Sequence, residues 1–86
     1  MNAMIVDGNV LAGMLSDLFD SDATMLTGVC AGCGAEALLA EAVVEVDDVA
    51  AIVRCRSCTH TLMTVLRTPG EMRLVFGALR ELRLTR

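Results

Sequence analysis

Four side chains in this sequence can do metal chemistry together. Cys30, Cys33, Cys55 and Cys58 form two C-x-x-C pairs, separated by the 21 residues from Gly34 through Arg54. Two thiolates three positions apart can grip one ion if the backbone between them turns tightly, and two such grips complete a tetrahedron around Zn(II). Gly32 and Gly34 leave room for backbone amides to approach sulfur, and Ser57 and Thr59 keep the second pair small and polar. Four thiolates around Zn(II) leave a net negative site, which hydrogen-bond donors and nearby cations stabilise. Arg54 and Arg56 flank Cys55 and are candidates for that role, or else plain solvent-facing strand positions.

Zn2+ in a closed structural site is therefore the expected cofactor, with all four cysteines as ligands. Two alternatives stay open. A rubredoxin-like iron site uses the same four sulfurs, but under clustered aromatic rings, whereas only Phe19 and Phe76 occur here, without Tyr or Trp. Disulfides or a thioredoxin-type redox pair are the other; that motif opens a helix in a βαβ unit and would leave the second pair superfluous. His60, the single histidine, follows Cys58 by two residues. Four thiolates already fill a tetrahedron, so His60 is expected beside the ligands or at the surface rather than in place of one. No Gly-rich phosphate loop, nucleophile elbow or H-E-x-x-H occurs, and Asp47-Asp48 reads as a turn. The chain is expected not to be an enzyme.

The elements that must position the cysteines are short. Asp7 suits an N-cap, and Val10, Leu11, Met14, Leu15, Leu18 and Phe19 form one apolar stripe on a helix expected over 8–19. Thr24 to Val29 reads as a link. Over 36–46 a period of two places Leu38, Ala40, Ala42, Val44 and Val46 on one face, while a helical reading aligns Leu38, Leu39, Ala42, Val43 and Val46. The β-branched residues favour strand. Further strands are expected over 50–54, 60–67 and 72–76, with a type II turn at Thr68-Pro69-Gly70-Glu71. The form of 78–86 is open. The expected fold is small, metal-bound α+β: one domain spanning 1–86, with a helix at 8–19, a zinc ribbon of about four antiparallel strands in two hairpins over 28–77, and a tail at 78–86.

Composition sets the limits of this reading. Apolar residues make up 55% of the chain and charged ones 21%, too apolar for disorder. The longest uncharged run, Ala23 to Ala35, is only 13 residues, so no membrane helix is expected. No Lys or Arg precedes Arg54, so the amino end lacks a basic signal-peptide region; the cysteines are read in a reducing, cytoplasmic compartment. Residues 1–48 hold nine acids and no base, and residues 49–86 two acids against seven arginines, so the halves carry -9 and +5, summing to the formal -4. Either the halves lie together with their charges paired, or the arginines form a face for an anionic partner. A core this small is marginal, and Zn(II) can add about 10 to 16 kcal/mol to a small zinc module, so the metal is expected to decide folding.

Two knuckles joined to β-rich hairpins resemble the zinc-ribbon fold group over 28–77. More closely, Asp7-Gly8-Asn9, Cys30-x-x-Cys33-Gly34, Cys55-x-x-Cys58 and Leu66-Arg67-Thr68-Pro69 look like those of a family of small bacterial proteins of unknown function, over nearly the whole chain. The resemblance implies a fold and a metal rather than an activity, with a faint pointer to redox-enzyme partners. Cys58-Thr59 departs from the C-x-x-C-G common in ribbons. The function expected first is a non-enzymatic interaction module or accessory subunit: the apolar excess and six Met suit a contact surface for another protein or a second copy. One alternative is nucleic-acid binding through Arg54, Arg56, Arg67, Arg73, Arg80, Arg83 and Arg86, against which stand the net charge and the scarcity of stacking rings; the second is electron transfer by a rubredoxin-like iron site on the four cysteines.

Overall fold

The computed structural model describes residues 3–16, 18 and 22–84. Its eight described strands fall into two antiparallel sheets. β1 (Met4–Asp7), β4 (Val43–Val46), β5 (Ala50–Arg54), β6 (Thr61–Thr68) and β7 (Glu71–Phe76) form one, in the order β1-β4-β5-β6-β7. β2 (Thr27–Cys30), β3 (Glu36–Leu38) and β8 (Leu79–Arg83) form the other, with β2 in the middle. The single α-helix among the described residues, α1 (Leu11–Met14), is one turn long. A small α+β fold is what the sequence called for; the strand number is twice the expected four.

The larger sheet is built by alternation. Along β5, Ala51 and Val53 are buried while Ala50, Ile52 and Arg54 are half-exposed, because successive side chains leave a strand on opposite faces. Val44, Val53 and Val65 pack beneath the sheet against Leu11, Leu15, Leu26 and Leu39, and this is the core. Asp47 closes the β4–β5 turn by accepting from the Val49 and Ala50 amides at 2.9 and 2.8 Å. Those bonds hold its carboxylate below the usual range despite some opposing desolvation. Thr68 pairs with Glu71 across Pro69-Gly70, and Gly70, at φ +82°, takes the left-handed conformation that a type II turn requires.

Three expectations are corrected. The helix expected over 8–19 is a 3-10 turn, Gly8–Val10, followed by α1; Phe19 lies outside the described residues. Asp7 does cap it, accepting from the Asn9 amide at 3.0 Å. The stripe holds for Leu11 and Leu15, both buried, but Leu18 is exposed. Gly13 weakens the segment, and no basic residue supports its last turn. The continuous strand over 36–46 is instead β3, a 3-10 turn at Leu39–Glu41, and β4. That turn carries the chain from one sheet to the other and buries Leu39, which the period-two face had left out. Finally, Thr24–Val29 is no mere link: Asp22 caps a 3-10 turn at Ala23–Met25, and β2 follows.

Packing explains one residue type outright. Gly8 is buried where the first 3-10 turn crosses the backbone at Leu39; a Cβ there would lie 1.6 Å from the Leu39 carbonyl oxygen. The residues left open at 78–86 become β8, whose Leu82 pairs with Gly28 and Arg83 with Thr27, up to Leu84 as described.

Candidate metal centre

Each C-x-x-C pair turns a hairpin. Cys30 ends β2, and the chain returns as β3 with Val29 opposite Glu36; β5 returns as β6 around Cys55–Cys58. The register shifts at Val29/Cys30 between β2 and β8, and at Val53/Arg54 between β5 and β6, with Arg80 and Leu62 the extra residues on the strands opposite the start of each knuckle. The two knuckles then repeat the same bonds. Gly34 N–H donates to Cys30 O at 2.7 Å and Cys30 N–H to Ala35 O at 2.9 Å; Thr59 N–H donates to Cys55 O at 2.8 Å and Cys55 N–H to His60 O at 2.9 Å. Gly34 at φ +79° and Thr59 at φ +68° share the left-handed conformation. Thr59 thus does the work of the missing glycine, and the departure from C-x-x-C-G does not break the symmetry of the knuckles.

The residues just before β8 fasten the two knuckles together. Ala31 N–H donates to Ala78 O at 2.8 Å, and Ala78 N–H to Thr61 O at 2.9 Å. The result brings all four predicted ligands into one cluster: the Sγ atoms of Cys30, Cys33, Cys55 and Cys58 lie within 4.8 Å of one another. Cys30 and Cys58 approach to 3.6 Å and Cys33 and Cys55 to 3.7 Å. A tetrahedron with metal–sulfur bonds of about 2.3 Å has edges of about 3.8 Å. The cluster fits one thiophilic ion; it could hold zinc or iron by donor type alone.

The environment prepares thiolates. Burial opposes charge on Cys55, but the Cys58 and Ser57 amides and the neighbouring Cys33 thiol draw its pKa down to about 7. At Cys58 the His60 amide lowers the pKa, yet burial and the Cys33, Cys30 and Cys55 sulfurs prevail and hold it at about 12. Without an ion, four sulfurs this close cannot all ionise; a cation removes the conflict. Cys30 and Cys55 are buried and Cys33 is exposed, so the cluster opens to solvent on one side.

The flanking residues behave differently from expectation. Arg54 is committed to Glu45 at 3.3 Å and to Thr61 Oγ1 at 3.4 Å, so it does not serve the sulfurs. Arg56 is exposed and makes no hydrogen bond or ion pair among the described residues. Backbone amides supply the donors instead. His60 stands beside the ligands: its Nδ1 lies 3.1 Å from Cys58 Sγ, and its ring covers Gly32, where a Cβ would sit 2.8 Å from Nδ1. Gly32 is therefore needed for the ring as much as for any amide, which spacing alone does not reveal. Of the arginines, Arg83 pairs with Glu36 and Glu81, Arg73 with Glu71, and Arg67 binds the Asp47 carbonyl; Arg86 lies outside the described residues.

Fold and site together define a small α+β protein with a four-cysteine cluster suited to a metal ion. A family model described as a family of unknown function (DUF6510) matches residues 1–86, and the chain belongs to that family. No curated protein and no solved structure shows significant similarity to it. No helix among the described residues is long and apolar enough to cross a membrane.

Proposed function

We propose that this chain is a non-enzymatic zinc-ribbon protein that serves as a protein-interaction module or accessory subunit. One observation carries the reading: two knuckles with matching hydrogen bonds close four sulfurs to tetrahedral spacing. Zn(II) held by Cys30, Cys33, Cys55 and Cys58 supplies no chemistry beyond charge neutralisation and cross-linking, since four protein ligands leave no open position for a substrate. The ion ties the β2–β3 hairpin to the β5–β6 hairpin and so stabilises a domain whose core is small. Free thiols of this kind fit a reducing compartment, and the cytoplasm is the proposed location. The exposed Met4, Ile5, Met25, Val75 and Phe76 support a role in contact with another protein or a second copy.

Nucleic-acid binding is the weaker reading, because Arg54, Arg73 and Arg83 face carboxylates of this chain. Retention on a heparin matrix with a steep salt dependence is the outcome that would favour it. Elemental analysis of protein purified without added metal tests the main reading. One zinc per colourless chain is expected, together with loss of the far-UV β signal on complete chelation. Bound iron with a red ferric colour, or an unchanged spectrum after metal removal, would overturn it.

A further inference from the structure

The equivalence of the two knuckles breaks at one position. Cys30 N–H donates to Ala35 O and Cys55 N–H to His60 O, so His60 stands in the second knuckle where Ala35 stands in the first. By the same correspondence Cys58 is the counterpart of Cys33. The second knuckle therefore carries a donor that the first lacks. His60 Nδ1 lies 3.1 Å from Cys58 Sγ, yet the ring stands outside the group of four sulfurs that close on one another. It rests on Gly32, where a Cβ would lie 2.8, 3.0 and 3.1 Å from Nδ1, Cγ and Cε1, and the residue is otherwise exposed. Glycine at 32 gives the ring its seat, and no core packing locks it there.

Resting on the zinc reading of the four sulfurs, we infer that His60 is a reserve ligand for Cys58. When that sulfur leaves the ion, Nδ1 takes its position, and the site becomes three thiolates and one imidazole. The rearrangement is small, since Nδ1 has to advance by roughly the 3.1 Å that separates it from the sulfur. Four residues separate Cys55 from His60, a spacing found between zinc ligands, and three cysteines with one histidine are an established structural set. A neutral ring with its proton on Nε2 presents the Nδ1 lone pair. One metal–sulfur bond breaks and one metal–nitrogen bond forms, while the departing thiolate takes its negative charge out of a crowded cluster. Cys58 is suited to leave: it is half-buried where Cys30 and Cys55 are buried, and it is the sulfur within hydrogen-bond reach of the ring. Cys33 is more exposed still, but Ala35 offers no donor in its place. The two hairpins thus stay joined through the ion while Cys58 is free.

Competition with a chromophoric chelator measures the zinc affinity of the full chain in three backgrounds, each with and without His60→Ala; far-UV spectra of the zinc-loaded forms verify the fold. In the unsubstituted chain His60→Ala removes an outer partner and should cost about 10-fold. Cys58→Ala should still bind one zinc per chain, and there His60→Ala should cost at least about 100-fold, because it now removes a ligand. In Cys33→Ala, the counterpart, His60→Ala should again cost about 10-fold. Cobalt(II) reads the donor directly: Cys58→Ala should keep a tetrahedral spectrum with a weaker sulfur charge-transfer band, and adding His60→Ala should abolish it. Cys58→Ser makes the same test should Cys58→Ala fail to fold. The same cost of His60→Ala in every background, a cobalt spectrum of the Cys58 variant indifferent to His60, or an equal rescue of Cys33→Ala would each overturn the inference. The two readings fail separately. An unsubstituted chain with one zinc and a four-sulfur cobalt spectrum, but no special dependence of Cys58→Ala on His60, overturns the reserve ligand and keeps the zinc site. An unsubstituted chain that binds neither metal overturns both.

Discussion

Replacing Thr59 with glycine should stabilise the protein, and replacing Gly34 with alanine should do the reverse. Thr59 sits at φ +68°, where its Cβ crowds the following carbonyl, at a cost of about 1 to 2 kcal/mol for an L residue. Glycine removes that cost but orders a freer unfolded chain, which returns about 0.5 to 1 kcal/mol. The exposed Thr59 hydroxyl bonds only to the adjacent Cys58 carbonyl, so little else is lost. A net gain of about 0.5 to 1 kcal/mol follows, or a rise in melting temperature of about 3 to 6 °C for a domain of this size. At Gly34 a Cβ would meet nothing within 4 Å, so Gly34→Ala isolates the backbone term and should cost about 1 kcal/mol. Urea unfolding at saturating zinc measures both. Destabilisation by Thr59→Gly, or a neutral Gly34→Ala, would refute the equivalence of the two knuckles.

Three further outcomes are expected. His60→Ala should keep one metal per chain and weaken its affinity by about 10-fold, since His60 touches Cys58 without belonging to the four-sulfur set; competition with a chromophoric chelator reads this, and complete loss of metal would make His60 a ligand. Gly8→Ala should cost about 3 kcal/mol or more in urea unfolding, because the backbone at Leu39 must move away; a fully native midpoint would contradict the close crossing. Metal uptake by the reduced apo form near pH 8 should release protons: Cys58, raised to about 12, is still a thiol there, whereas Cys55, at about 7, is already mostly thiolate. Affinity therefore rises with pH and falls in acid, and an indicator dye in weak buffer that shows no proton release would disprove the order of ionisation.

The metal cluster was the most legible part of the sequence because its signal is discrete: four cysteines at fixed spacing leave few ways to meet. The strands over 50–54 and 60–67 were also legible, since alternation and the Asp47 and Pro69-Gly70 turns agree there. What escaped was structure decided by distant partners. β2 holds only four residues, one of them glycine, and it is a strand because β3 and β8 flank it. Leu39 belongs to the helical alignment and not to the period-two face, and only the existence of two sheets makes a turn there necessary. The Thr59 conformation was hidden because a β-branched residue is an unusual choice where φ is positive. The pairing of Arg54 with Glu45 follows from cross-strand placement that local sequence does not encode.

The position of β8 also shapes how the molecule can be made. All four cysteines precede residue 59, but β2 finds its second neighbour in Leu79–Arg83, and Ala78 fastens the two loops. While a ribosome still shelters residues 78–83, a nascent chain can expose every thiol yet own neither that strand nor that fastening. Ion capture before β8 has emerged would act on a half-finished lattice, and the fully clasped form waits for Leu79–Arg83 to take its place beside β2.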